Sequence, residues 1–143
     1  MTKDITTNRK AFFDYEILEN YEAGVVLTGT EIKSVRAGQI NIRDAYVRPI
    51  KSELWLIGAH IALYKAANSA DNHDQYRSRK LLLHKNELTR LIDTVSQKGL
   101  TIVPLRVYLA RHVAKIQLGL ARGRRRHDKR RAIIEKEHIR EMD

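Results

Sequence analysis

The sequence predicts a small, mainly-β barrel with flanking helices, followed by a flexible basic C-terminal tail. Three observations carry that prediction. Short runs rich in Val, Ile, Leu and Tyr recur up to Ala121 of the 143 residues. Only two segments carry helical spacing with recognisable ends. The positive charge is concentrated after Ala121: Arg122 to Arg131 holds seven bases and one acid, a net of +6, as much as the whole of residues 1–121.

The elements follow in order. Asp14 to Tyr21 and Glu22 to Leu27 are enriched in Tyr, Ile and Val around Gly24, which predicts strands. Thr28-Gly-Thr-Glu31 has capping-box spacing, and Leu27 and Ile32 are spaced as a hydrophobic staple across the same turn. With Gly38 as a stop, a helix is predicted over about residues 29–37. Strands resume at Ala45–Arg48 and Glu53–Ile57, with Pro49 marking an edge or bend. Trp55, inside an apolar run, reads as core. Ala66 to Arg79 is polar and aperiodic, a long surface loop. Lys80-Leu-Leu-Leu83 leads into the clearest helix, Lys85 to Lys98, where Leu88, Leu91, Ile92 and Val95 share a face and Gly99 ends it. Two strands follow, Leu100–Leu109 and Val113–Ala121. Val103, Leu105, Val107 and Leu109 are expected to share a face of the first, and Ile116, Leu118 and Leu120 of the second. Ala110-Arg-His112 joins them without the Asn-Gly signal of a tight hairpin. A long helix between strand groups fits an oligonucleotide-binding (OB)-fold-like barrel.

The domain plan is therefore a body over residues 1–121 and a tail over 122–143. The tail is expected to be disordered when free, because dense like charge repels until a partner neutralises it. The whole chain carries 27 Lys+Arg against 17 Asp+Glu, net +10, which favours a polyanionic partner. Cysteine is absent, which excludes disulfides, Cys-ligated zinc and catalytic thiols. No apolar stretch approaches the roughly 18 residues that span a bilayer, and the N-terminal segment has no apolar core of a secretory signal. A cytoplasmic, monomeric protein is expected, with no membrane partner.

Signals for catalysis are weak. Gly24 and Gly29 have P-loop spacing, but Thr30 and Glu31 follow where Lys and Ser/Thr are required, and a carboxylate there repels phosphate. No two of the six histidines are spaced three or four apart, so no metal site is expected. His73 with Asp74 is the only His–Asp cluster in the polar loop, and it reads as loop hydrogen bonding rather than acid–base chemistry. For nucleic acid, Tyr76 is the best stacking candidate, with Arg77, Arg79 and Lys80 beside it.

Longer motifs resemble a known family. Asn8-Arg-Lys10, Asp14-Tyr15, the run Tyr21 to Gly38, Asp44-Ala-Tyr-Val47, Ile57 to Ile61, Arg79 to Lys85, Gly99 to Leu105 and Leu120 to Arg130 resemble the SsrA-binding protein (SmpB) family. The resemblance runs from Asn8 to Arg131. It implies an OB barrel flanked by helices. It also implies binding to the tRNA-like domain of transfer-messenger RNA (tmRNA) and delivery of that RNA to stalled ribosomes for trans-translation. The tail, helical on the ribosome, is implied to engage the small-subunit decoding centre and mRNA channel. No catalytic residue and no cofactor are implied. Glu22, Leu82 and His84 match family tmRNA-binding positions; His84 stands where some members have Asn. In the tail, Arg122, Gly123, Arg124, Asp128, Lys129 and Arg130 match the segment that engages the ribosome, and Arg125, Arg126 and Arg131 complete the basic run. Without the resemblance, Glu22 would read as a strand-edge acid without a partner and Leu82 as core. Two alternatives stand beside it: a basic ribosomal or ribosome-assembly protein that binds ribosomal RNA, and a small RNA-processing enzyme built on His73 and Asp74.

Overall fold

The computed structural model describes residues 2–124. The predicted tail residues Arg125, Arg126, Asp128, Lys129, Arg130 and Arg131 lie outside the described residues, as does any tail helix. The chain runs through β1 (Thr2–Thr7), α1 (Arg9–Asp14), β2 (Tyr15–Val25), α2 (Gly29–Arg36) and β3 (Ile40–Asn41). It continues through β4 (Tyr46–Ile50), β5 (Glu53–Ile57), β6 (His60–Ile61), β7 (Arg79–Leu82), α3 (Lys85–Lys98), β8 (Thr101–Ala110) and β9 (Val113–Gly123).

The main sheet is antiparallel in the order β1-β8-β4-β5-β7-β2-β9, and β8 also pairs with β9. That last pairing closes β8, β4, β5, β7, β2 and β9 into a ring, so the mainly-β barrel with flanking helices is the fold that forms. One edge of β8 serves two partners: β4 meets it at Ile102, and β1 runs along Arg106 to Ala110. Pro49 lies two residues past the Val47–Ile102 contact, where its missing N–H costs that pairing nothing.

Apolar alternation fills the barrel. Leu54, Leu56, Ile61, Leu81, Ile102, Val107, Ile116, Leu118 and Leu120 are buried in one core. The helical stripe of α3 closes it, with Leu91 fully buried and Leu88, Ile92 and Val95 packed against it. Truncating any one of the fully buried Leu or Ile side chains to Ala is worth roughly 2–5 kcal/mol. Trp55 does not join them: its neighbours Leu54 and Leu56 point inward, so Trp55 points outward and is half-buried.

Val103, Leu105, Val107 and Leu109 do not share a face. The register of β8 against β9 shifts between Pro104 and Arg106, and this irregularity turns the strand over. Val107 and Leu109 face the barrel core, whereas Val103 and Leu105 pack outside it with Ala11 of α1 and Ala121. Gly119 lies under this second cluster. A side chain there would bring a Cβ within 2.8 Å of Leu105 Cδ1 and 3.2 Å of Ile17 Cγ2, so only glycine fits without movement.

The predicted caps form. Thr28 Oγ1 accepts from the Glu31 amide, and a Glu31 carboxylate oxygen accepts from the Thr28 amide at 2.8 Å. Gly99 ends α3 in the left-handed region, φ 63°. The predicted strands around Gly24 are one continuous strand, β2. Four elements carried no clear signal: the two-residue strands β3 and β6; β1, which lacks apolar alternation; and α1, capped by the buried Asn8, whose side-chain amide donates to Ile42 O and Pro104 O. Both tight hairpin turns are built without glycine. Lys51-Ser52 (φ 50° and 64°) and Arg111-His112 (φ 51° and 68°) each place two non-glycine residues in the left-handed region, so a two-residue turn forms where the Asn-Gly signal is missing.

The body extends past its expected end at residue 121. β9 continues through Arg122 and Gly123 because the first residues of β2 offer it a partner: Arg122 lies opposite Glu16 and Gly123 opposite Tyr15. Arg122 pairs with Glu16 at 2.8 Å. The Arg124 amide donates to Asp14 O and its Nε to Tyr15 O. These three residues belong to the folded body, not to a free arm.

Candidate nucleic-acid interface

Three of the predicted site residues meet on the outside of the barrel. β2 and β7 pair with Gly24 opposite Leu82, and β2 pairs with β9 so that Glu22 faces Gln117 and Gly24 faces Lys115. Alternation in β7 sends Leu81 inward and Leu82 outward, which leaves Leu82 50% exposed rather than in the core. Glu22 also points outward and is exposed; β2 is an interior strand between β7 and β9, so Glu22 is not an edge residue. Two residues beyond Leu82, His84 is the N-cap of α3. Its side chain makes no capping bond, and its imidazole stays exposed. Glu22, Gly24, Leu82, His84, Val113 and Lys115 line one shallow depression of about 350 Å³. An acceptor, an apolar platform, an imidazole and an ammonium on one open surface suit contacts to ribose, bases and phosphate.

Among the described residues Glu22 has one hydrogen-bond partner. Its Oε2 accepts a hydrogen bond from the Tyr108 hydroxyl on β8, across β9. Tyr108 carries no motif that marks it as a site residue. The alternation of Val107 and Leu109 marks it as outward-facing, but strand register, which the sequence does not display, is what brings it to Glu22.

The second predicted cluster divides. Tyr76 is 62% exposed, its ring 5.0 Å from that of His60 and tilted by 52°, so one aromatic face is supported and another is open for a base. Lys80 is partly exposed and pairs with Glu53 at 3.1 Å. Arg79, however, is not available to RNA. It is fully buried, with its guanidinium on Glu31 Oε2 (2.7 Å), Ala59 O (2.8 Å), and Asp74 O and Gln75 O (3.3 Å each). Arg79 is the first residue of β7, and the same alternation that exposes Leu82 turns it inward. Arg77 is largely committed too: its Nη2 lies 2.6 Å from Glu31 Oε1 and 3.1 Å from Val26 O. Glu31, itself fully buried, thus caps α2 and anchors Arg77 of the polar loop and Arg79 at the start of β7. Burial alone would raise the Glu31 carboxyl, but hydrogen bonds from Arg77, the Thr28 amide and Arg79 outweigh it and bring it down to about 2.

His73 is satisfied on both ring nitrogens: Nε2 lies 3.0 Å from Ile61 O and Nδ1 2.8 Å from Thr30 Oγ1. The Asp74 carboxylate accepts from the Tyr76 amide. Both residues hold the loop, and among the described residues no group of His, Asp and Glu is arranged to hold a metal ion. Among the same residues no helix is long and apolar enough to cross a membrane.

The chain is similar to known proteins over nearly its whole length. Residues 5–143 match the family model of SmpB protein. An SsrA-binding protein of Thermosynechococcus vestitus is 50% identical over 99% of this chain and 93% of its own length. One of Chlamydia muridarum is 52% identical over 98% of this chain and 92% of its own length. A solved structure described as "tmRNA-SmpB: a journey to the center of the bacterial ribosome" superposes with a TM-score of 0.69 at 51% identity, covering 90% of this chain and 93% of that one. The chain belongs to the SmpB family.

Proposed function

We propose that this chain is a non-enzymatic, cytoplasmic RNA-binding adaptor of trans-translation. The body binds the tRNA-like domain of tmRNA, and the basic tail engages the small ribosomal subunit when the RNA is delivered to a stalled ribosome. The observation that carries this reading is the convergence of Glu22, Leu82 and His84 on one exposed patch of a chain that is about half identical to SsrA-binding proteins over nearly its whole length. A site this open, with one acid and one lysine, reads RNA shape and a few polar groups rather than holding a small substrate. Tyr76, on the loop tied down by Arg77 and Arg79, supplies a separate stacking surface. The tail residues Arg125, Arg126, Asp128, Lys129, Arg130 and Arg131 supply dense charge for ribosomal RNA.

The test separates the two parts. Full-length protein in which Lys129 and Arg130 are both changed to Ala is expected to bind the tRNA-like domain within about threefold of the unchanged chain, since the phosphate charges they reach lie on another partner. The same protein is expected to fail in a reconstituted rescue reaction on ribosomes stalled without a stop codon. Loss of tRNA-like-domain binding by this change would contradict the division of labour.

A further inference from the structure

We infer that Tyr108 is a positioning residue for RNA recognition, which fixes the Glu22 carboxylate so that a single oxygen, Oε1, is presented to one hydrogen-bond donor of the RNA. The inference rests on the reading of Glu22 as an RNA contact and assigns how that contact is built.

The geometry starts from an oddity of β8. Val107 and Leu109 are core residues, so Tyr108 projects from the outer surface of the barrel, yet it is only 5% exposed. A neighbouring arginine covers it. The Arg106 guanidinium lies over its ring, 4.8 Å from the centroid, and Arg106 is itself held by Asp4 of β1 at 3.2 Å. A covered tyrosine must place its hydroxyl on a partner. Tyr108 lies opposite Lys115 on β9, and Lys115 lies opposite Gly24 on β2, so the ring reaches diagonally across β9 to arrive at Glu22, two residues from Gly24. Its hydroxyl donates to Glu22 Oε2.

A long exposed glutamate is otherwise free to rotate, and ordering it on a ligand costs side-chain entropy. Here the buried tyrosine has fixed it before the RNA arrives, and preorganisation of this kind appears as affinity. The donor also holds its proton: burial, then the hydrogen bond and charge of Glu22, push the Tyr108 phenol up to about 12, so it stays a donor throughout the pH range of binding. Oε2 is engaged, and Glu22 shares its depression with Leu82, His84 and Lys115, which leaves Oε1 as the oxygen for a ligand there. A carboxylate used through one oxygen suits one donor, a ribose 2′-hydroxyl or an exocyclic base amine, rather than the paired donors of a guanine edge.

The test is a double-mutant cycle on the full chain with a tRNA-like-domain RNA as probe. Tyr108→Phe keeps the ring and removes only the hydroxyl. It is expected to weaken binding about tenfold when Glu22 is present and less than twofold in the Glu22→Ala background. Equal losses in both backgrounds would show a merely structural role and overturn the inference. So would no loss from Tyr108→Phe while Glu22→Ala weakens binding. No loss from Glu22→Ala would instead overturn the reading of Glu22 beneath it. If Tyr108→Phe does not fold, Arg106→Gln uncovers the ring but leaves the hydroxyl. It is expected to cost about threefold, again only when Glu22 is present, and a loss independent of Glu22 overturns the inference. Single 2′-deoxy substitutions across the RNA separate the two donor sources. One position whose effect disappears in Glu22→Ala identifies a 2′-hydroxyl, and its absence assigns the base amine.

Discussion

Glu22 and Glu31 sit nine residues apart, one on each side of the turn between β2 and α2, and the protein uses them in opposite ways. Glu31 is fully buried and saturated: two arginines and a backbone amide occupy both its oxygens. Glu22 is exposed and holds a single tyrosine hydroxyl. The contrast teaches where charge serves the fold and where it remains for a partner. A buried carboxylate must be neutralised on every side, because an unpaired charge away from water is costly. That requirement consumes Arg77 and Arg79, two cations that looked suited to RNA. The exposed carboxylate has no such requirement, and its free oxygen is surface chemistry.

The comparison can be broken hardest at Arg79. Arg79→Met leaves Glu31 with one fewer counter-charge in a dry site, and the expected loss is roughly 3–5 kcal/mol of folding stability, read from urea denaturation. RNA affinity measured where the variant is still folded is expected to change less than threefold. A large affinity loss with unchanged stability would return Arg79 to the binding surface.

Acid sharpens the same contrast. The folded Glu31 carboxyl titrates at about 2, below its ordinary range near 4.3, so its stabilisation is present above that ordinary value and is lost as the pH falls towards 2. The thermal midpoint should therefore drop across that window. Glu31→Gln is expected to lower the midpoint at neutral pH and to flatten this acid dependence, as a midpoint series between pH 2 and 6 would show.

The smallest expected effect is at the turn between β4 and β5. Replacing Lys51-Ser52 by Asn-Gly puts residues that favour the left-handed region where two non-glycine residues now occupy it. A gain of about 1 kcal/mol in stability with unchanged RNA binding is expected, measured by the same denaturation.

Much of this fold was legible in the sequence because periodicity and capping are local. The spacing of Leu88, Leu91, Ile92 and Val95 with Gly99 gave α3, and Thr28 with Glu31 gave the start of α2. What escaped was non-local. The irregularity at Pro104–Arg106 splits one apolar stripe between two clusters, and nothing in that segment announces it. Arg122 to Arg124 read as the beginning of an arm because their charge is visible, whereas their pairing with Asp14 to Glu16 is not. For the candidate site, the family motifs supplied Glu22, Leu82 and His84, whereas alternation along β7 decided which neighbours accompany them. Leu82 faces out and Arg79 faces in, a parity that depends on where the strand begins. Tyr108 was out of reach for the same reason: its partner is set by register across three strands.

The most direct test of the account removes the patch and nothing else. Glu22, Leu82 and His84 are all exposed, so changing the three to Ala together should leave the thermal midpoint within a few degrees of its starting value. Binding to a tRNA-like domain would be measured against unstructured RNA of equal length at moderate salt. The account predicts that preference for the tRNA-like fold disappears and affinity falls to the level of the unstructured RNA. Preference that survives in a folded triple variant would contradict it and place RNA recognition elsewhere on the chain.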